Sequence, residues 1–460
     1  MSTDTAPVSA PPPSLSSRRW FYGFVPHKIG AGSTVSLPPL FITEVLGGSV
    51  AMVGVATSIT AAAAVPAAIL WGWLSDRFGS RKLYLALGFL GFGIPTLLMA
   101  FSQNVANYLL LTALVGALSI AGTPVSSTLI MDTTPKDQWH DAFGRFNQVG
   151  GWGLVVGRLV GLTWITYVTA ATGNLMAQRS LWVVSGVLSI LAAGVVWLLT
   201  PRLGRVKPRR PARLLILLSL GRAAAATAAG IRLAAGGAAR FFRQRPQLQG
   251  VPDQVRQRGA ALAAEPLVIY YFATFALFTA SVLAYTPFAV WQRQALGSST
   301  SNVFLMGLVN SLAAAFAYRW AGTAASRSSS VTVQTVAVGL RVFVFAGFAV
   351  LSVVELHLLV TNAVLVVLQV ISGISWAGIA VAGSTTVAHL APKGSEGAAI
   401  GTYNAFLSLG SIVGALVSGY LAQGTSFAVV FMTGAAGMGL TVLLLMWVRR
   451  TTAMHGLSHA

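Results

Sequence analysis

Gly72-Trp73-Leu74-Ser75-Asp76-Arg77-Phe78-Gly79-Ser80-Arg81-Lys82 is the stretch that decides how this chain folds. It sets one acidic residue between two glycines and follows it with three cations. Apolar runs flank it at roughly 50–75 and 83–102. Each is long enough to cross a bilayer core, which takes about 20 apolar residues. The stretch therefore reads as a short loop joining two membrane helices at one face. Gly72 permits close helix packing, and Gly79 permits a turn at positive φ. Arg77, Arg81 and Lys82 suit an anionic inner-leaflet surface. Asp76 ends a span where a carboxylate meets the positive end of another helix.

Working outward, similar apolar runs recur along the chain. Six lie at roughly 20–46, 50–75, 83–102, 105–131, 142–170 and 179–201. Six more lie at roughly 265–293, 300–325, 331–353, 358–388, 396–423 and 425–449. Composition agrees, with 55% hydrophobic and only 9% charged residues, against roughly 25% charged in soluble domains. Cysteine is absent, which excludes a disulfide scaffold, a thiol nucleophile and a cysteine metal site. The fold class expected is an all-α polytopic membrane protein with twelve transmembrane helices in two pseudo-symmetric six-helix bundles. The boundaries follow: a tail at 1–17, a first bundle at 18–201, a linker at 202–264, a second bundle at 265–449 and a tail at 450–460.

The net charge of +20 would suit a nucleic-acid binder, but its distribution gives it another meaning. Twenty-five of the 30 Lys and Arg fall on one side of the membrane if the N-terminus is cytoplasmic, thirteen of them between Arg202 and Arg258. Positive residues concentrate on the cytoplasmic side of polytopic proteins. Both termini are thus expected in the cytoplasm of a cell with a bacterial-type inner membrane. The partners expected are an anionic inner leaflet and a small-molecule substrate, with no nucleic acid. Within the linker, Arg222, Arg232, Arg240 and Arg243 share one face of an Ala/Leu-rich helix. That pattern suits a helix lying on the membrane surface rather than a thirteenth span. Nine of the twelve tryptophans, among them Trp20, Trp71, Trp73, Trp139, Trp182, Trp291 and Trp447, fall near span ends and read as belt anchors.

The halves resemble each other. At an offset of 257, Pro135, Lys136, Ala142, Gly144, Asn147, Gly153 and Gly157 fall on Pro392, Lys393, Ala399, Gly401, Asn404, Gly410 and Gly414. Gly153 and Gly157, like Gly410 and Gly414, are spaced to let helices approach closely in lipid. Pro39 before Leu46-Gly47 and Pro287 before Leu296-Gly297 add a weaker match. Duplicated six-helix halves are a transporter architecture with its substrate site near the midplane.

The loop at 72–82 resembles the G-x-L-x-D-R-x-G-x-R-[RK] loop of the major facilitator superfamily, and the resemblance covers essentially the whole chain. It implies alternating access around a central site. It also implies that Asp76 acts as a latch toward the start of span 11, here Ser395-Glu396-Gly397. The second-half counterpart is degraded: Ala317, Arg319, Ala321, Ala324 and Arg327 stand over the motif positions, and the carboxylate is gone. Span 4 lacks the arginine often found in the family, and span 5 lacks the Gly-Pro pair of drug–proton antiporters.

Ionisable groups at midplane depth are expensive and mark site candidates. Lys28, Arg158 and Arg341 lie at depth, with no Asp or Glu at comparable depth to pair with them. An anionic substrate supplies the missing charge in one solution. The family layout then turns Lys28 and Arg158 toward the cargo and leaves Arg341, on peripheral span 9, to snorkel or pair locally. His27 is the one titratable group near neutral pH at that depth. Trp152, Tyr271, Gln369 and Trp376 are further candidate substrate contacts. The expected cargo is a small organic anion or polar metabolite, and the alternative is a proton-coupled drug or metabolite efflux antiporter. An enzyme would need an acid cluster at one face, for which only Asp132, Asp137, Asp141 and His140 offer themselves. No enzyme activity, metal or cofactor is expected, and a monomer is.

Overall fold

A computed structural model describes residues 15–78, 81–122, 125–126, 129–130, 134, 139–200, 265–391 and 396–458. The cationic linker, including 214–239, lies outside the described residues, as do Gly79, Asp132 and Asp137.

The first span is not one helix. A 3-10 segment, Leu15–Phe24, leads into α1 (Val25–Ser33), and the chain continues through Leu37–Leu40 and a π turn, Phe41–Val45. Pro26, Pro38 and Pro39 account for the breaks, since each removes a backbone donor and fixes φ. The remaining helices are α2 (Val50–Phe78), α3 (Arg81–Met99), α4 (Val105–Ser119), α5 (Trp139–Thr172) and α6 (Asn174–Leu199). After the linker come α7 (Pro266–Tyr285, continued by Phe288–Gln294), α8 (Thr300–Arg327), α9 (Ser330–Leu351), α10 (Leu358–Leu390), α11 (Glu396–Gly424) and α12 (Phe427–Ser458). Ten of the described helices are long and apolar enough to cross a membrane. The last helix runs on to Ser458, so most of the expected 450–460 tail is helical.

The duplication is visible in the packing. Within the first half α1 packs on α5 and α6, α3 on α4 and α6, and α2 on α4. The second half repeats each pair six places on: α7 with α11 and α12, α9 with α10 and α12, and α8 with α10. Two extensive contacts join the halves, α2 with α11 and α5 with α8, and they too are exchanged by the same relation; a smaller one joins Leu37–Leu40 to Phe288–Gln294.

The faint Leu-Gly match proves to be a repeated hydrogen-bonded turn. Leu46 N–H donates to Phe41 O at 3.0 Å and Gly48 N–H to Ile42 O at 2.8 Å. At an offset of 250, Leu296 N–H donates to Trp291 O at 3.3 Å and Ser298 N–H to Gln292 O at 2.9 Å. Gly47 (φ 63°) and Gly297 (φ 62°) hold the same left-handed conformation, which glycine adopts without steric cost.

The small residues of span 5 sit at the closest helix crossing. A Cβ on Gly153 would stand 2.7 Å from Lys28 Cβ, and one on Gly157 would strike the Ile29 carbonyl. In the other half a Cβ on Gly410 would meet Phe275 O at 2.6 Å, and one on Gly414 would strike the Thr279 carbonyl. One turn further, Ser418 Oγ donates to Leu283 O at 2.6 Å. Three of the expected belt tryptophans are instead core: Trp20 and Trp291 are fully buried, and Trp182 nearly so. Trp20 is enclosed by Phe21, Phe24 and Phe146, with ring centroids 4.7–5.9 Å away. Trp447 is half exposed, as a belt residue is.

Candidate functional site

The surface shared by the halves is the natural place for a site, because it alone changes when two rigid bundles rock. Its described contacts lie from the face opposite the chain termini down to mid-depth. Outermost, Arg293 Nε donates to Glu44 Oε1 at 2.5 Å, an ion pair between the ends of spans 7 and 1. Glu44 Oε2 also accepts from Asn174 Nδ2 (2.8 Å) and Gln178 Nε2 (2.7 Å). Thr300 Oγ1 donates to Asn174 Oδ1 at 3.2 Å, and Thr166 Oγ1 to Ser301 Oγ at 3.0 Å. Below them Ser58 Oγ donates to Ile412 O at 3.0 Å. Gly54 faces Ala415 and Gly419 at a close α2–α11 crossing.

Arg158 lies at the lower edge of this contact zone. It crosses from α5 to α8, where its guanidinium rests against Gly307 beside Ser36 Oγ. A side chain at 307 would occupy the guanidinium's place, so glycine there is what admits the charge. Toward the terminal face the contact thins. Trp152 and Phe316 meet edge-on at 6.4 Å, yet are 46% and 73% exposed.

Lys28 is half-buried, and its stem lies along Gly150 and Gly153 of α5, 3.5 Å from a Cβ at 150. Among the described residues it has no hydrogen bond or ion pair. Two small residues thus make a groove for the aliphatic chain and leave the ammonium unneutralised. His27 turns the other way. It stacks on Phe89 (4.7 Å), meets Phe92 edge-on (4.9 Å) and hydrogen-bonds through Nδ1 with Ser189 Oγ at 3.2 Å. It is packed against α3 and α6 inside its own half and does not reach the shared surface. Neighbouring residues on a helix point about 100° apart, so Lys28 and His27 serve different walls.

Tyr271 and Gln369 are likewise internal to the second half. The Tyr271 hydroxyl donates to Ala399 O at 3.2 Å while its ring stacks on Phe406 at 5.5 Å. Gln369 is 2% exposed and accepts from Asn310 Nδ2 at 3.1 Å. Trp376 is half-buried, edge-on to Phe278 at 6.3 Å.

Arg341 was expected to snorkel or pair locally, and the structure shows local pairing in a buried setting. Its side chain is 3% exposed and runs inward between α7 and α10. Its guanidinium lies 5.6 Å from the Tyr285 ring centroid and 5.5 Å from that of Trp376. The Tyr285 hydroxyl is hydrogen-bonded to Ser372 Oγ. Tyr285 is therefore a direct neighbour of Arg341 and was not singled out from sequence. Pairing of Glu44 with Arg293 was missed as well.

Of the loop at 72–82, the helical backbone through Phe78 and from Arg81 is described. The side chains of Gly72, Asp76, Arg77 and Arg81 lie outside the description. Lys82 turns back onto the Trp197 ring, 4.8 Å from its centroid, a cation–π contact within the first half. The side chains of His140 and Asp141 are also outside the described set. Among the described residues no group of three or more His, Cys, Asp or Glu could hold a metal.

Comparison with known proteins gives three findings. The sequence matches the family description Major Facilitator Superfamily over residues 28–365 and 337–458. It is similar to the multidrug resistance protein MdtG of Escherichia fergusonii, 35% identical over 138 residues, 29% of this chain and 33% of that protein. The Proteus mirabilis protein of the same name is 36% identical over 149 residues, 31% and 36% of the two chains. The chain thus spans about a third of the length of these curated relatives. Among solved structures it is similar to the nucleoside transporter NupG (TM-score 0.66, 15% identity, covering 95% and 99% of the two chains). It is also similar to a proton-dependent oligopeptide transporter (TM-score 0.68, 14% identity, 95% and 99%). A third is a bacterial homolog of the lysosomal transporter Spinster in an inward-facing conformation (TM-score 0.59, 14% identity, 97% and 96%). At these identities the likeness shows the fold.

Proposed function

The chain belongs to the Major Facilitator Superfamily, and from that premise we propose that it carries a small organic anion or polar metabolite across a bacterial inner membrane by alternating access. The chain is a monomer with both termini cytoplasmic, and it needs no nucleic acid, metal or cofactor. The single observation behind the choice of cargo is electrostatic. Lys28, Arg158 and Arg341 are charges at membrane depth, and none has a carboxylate partner among the described residues. Buried charges are normally paired or neutralised, and a cargo carrying negative charge completes them. Arginine adds a planar fork suited to carboxylate or phosphate.

The test is uptake of organic anions into vesicles. Arg158→Gln is expected to lower transport of the anion about tenfold or more, the value of one charge-assisted contact. Proton-driven export of neutral or cationic compounds, indifferent to Arg158→Gln, would reject the reading. That outcome is the second reading, a proton-coupled efflux antiporter. It is favoured by the name of the curated relatives, which are called multidrug resistance proteins.

The loop at 72–82 enters as the latch of the terminal face. Asp76 stands at the foot of α2 and faces the start of α11 when that side closes, where the helix N-terminus favours an anion. Asp76→Asn is expected to slow transport while expression, insertion and thermal stability stay at wild-type level. Wild-type turnover by the well-inserted variant would remove the latch from the mechanism.

A further inference from the structure

Arg341 is the one fully buried charged side chain among the described residues, and its surroundings leave it incompletely satisfied. Nη1 donates to Ser281 Oγ at 3.3 Å and Nη2 to Ser372 O at 3.4 Å. Both contacts are longer than the usual 2.7–3.2 Å of an N–H···O bond. Nε has no acceptor. Two aromatic faces, Tyr285 and Trp376, supply the rest of the neighbourhood. Neutral acceptors at long distance and π faces do not replace an anion. The edge formed by the free Nε and a loosely held Nη is the edge that a carboxylate engages side-on with two parallel hydrogen bonds.

Two further features belong to the same place. Ser375 lies one turn from Ser372 on the same face of α10, and its buried hydroxyl also has no partner. Tyr285 covers the guanidinium, held there by its bond to Ser372 Oγ. The walls are flat and aromatic. Trp376 is braced edge-on by Phe278 at 6.3 Å, and Tyr285 by Phe345 at 5.6 Å.

We propose that Arg341, Tyr285, Trp376 and Ser375 form an anion-binding pole that takes the carboxylate of an aromatic organic monoanion. The proposal rests on the reading that the cargo is anionic, and it adds the residue that grips the charge and the shape of the group attached to it. Binding displaces the Tyr285 hydroxyl from Ser372, opening the guanidinium edge. The ring of the ligand then lies between Trp376 and Tyr285.

The experiment follows the melting temperature of the full-length protein in zwitterionic nanodiscs. Benzoate is the probe, with acetate, chloride and benzylammonium as comparisons. Benzoate is expected to raise the melting temperature saturably, and benzylammonium to leave it unchanged. Arg341→Lys keeps the charge but loses the fork, and is expected to weaken benzoate by about tenfold. Tyr285→Phe frees the cover and is expected to tighten benzoate about threefold, since one neutral hydrogen bond no longer competes. A purely structural arginine and tyrosine would give neither change.

Benzoate affinity within twofold of wild type in Arg341→Lys, alongside a clear loss in Arg158→Gln, would overturn the pole and leave the anionic cargo standing. Absence of any benzoate effect on wild type, or an equal effect of benzylammonium, would overturn both. Equal effects of chloride and benzoate would overturn the aromatic part of the assignment. Should Arg341→Lys not fold, Trp376→Leu decides. Loss of the preference for benzoate over acetate supports the pole, and an unchanged preference overturns it.

Discussion

Gly157→Leu is expected to leave no stably folded protein in the membrane, whereas Gly151→Leu, two turns away, folds normally. The difference lies in what each new side chain would meet. A Cβ at 157 runs into the Ile29 carbonyl and stands 2.9 Å from both Gly32 Cα and Ile29 C. All three are backbone atoms, which cannot rotate aside. Nor can α1 retreat, because its opposite face is already in contact. A Cβ on Gly30 would stand 2.7 Å from Ser185 O, so α1 is clamped between α5 and α6. Adding methylenes to a packed interior costs about 1–3 kcal/mol even where side chains yield. Here four carbons enter a gap bounded by backbone, so the cost exceeds that range. Gly151 has nothing within 4 Å of its Cβ position. By the repeat, Gly414→Leu should fail as Gly157→Leu does, since a Cβ there strikes the Thr279 carbonyl. Size-exclusion profiles and melting temperatures of the three variants check this. A monodisperse Gly157→Leu protein melting at the wild-type temperature would show that the crossing is not rigid.

These glycines were readable in the sequence because spacing alone reveals a face, and the offset of 257 revealed its copy. The positions of most spans were also readable, because length and apolarity determine them, but not every limit: the last helix runs on to Ser458, past the expected 449. The breaks in the first span were not drawn. A run from 20 to 46 looks continuous by hydropathy, and Pro38-Pro39 interrupts hydrogen bonding without interrupting apolarity. Depth identified the charged candidates, since residue count along a helix gives height in the membrane. Depth does not give azimuth. Lys28 and His27 stand at the same height, yet one lies along α5 and the other packs on α3 and α6. Arg341 was left to snorkel or pair locally by the number of its span. Its helix carries it on the side facing α7 and α10, so it pairs locally. Tyr285 and Ser372 are ordinary residues for a membrane helix, and only their placement beside Arg341 makes them notable.

Glu44→Ala is expected to shift the halves toward the state open at the face opposite the termini. In the structure this face is held by one carboxylate that accepts from Arg293 of the second half and from Asn174 and Gln178 of the first. Glu44 and Arg293 stand 249 residues apart, so their pairing is purely a product of the fold. Removing the carboxylate leaves the Arg293 guanidinium of the other half without its anion only while the face is closed, whereas the amides of Asn174 and Gln178, in the same half as Glu44, lose their acceptor in both states. On opening, water replaces the anion at Arg293 at little cost, so the penalty falls on the closed state. Hydrogen bonds to charged groups are worth about 1.5–3 kcal/mol. The pair is partly exposed, with side chains 30% and 21% accessible, which argues for the lower end. About 1.5 kcal/mol corresponds to roughly a tenfold change in the ratio of the two states. The natural sequence contains no cysteine, so Gln103→Cys and Gln423→Cys, both exposed, place spin labels on the two halves near this face without background. Double electron–electron resonance should show the ratio of long-distance to short-distance populations rising about tenfold in Glu44→Ala. Arg293→Ala should do the same, and combining the two should add little, because each variant already breaks the same bond. An unchanged distance distribution in Glu44→Ala, or full additivity of the two substitutions, would mean that the bundles are held closed by their apolar contacts and that the ion pair only decorates the seam.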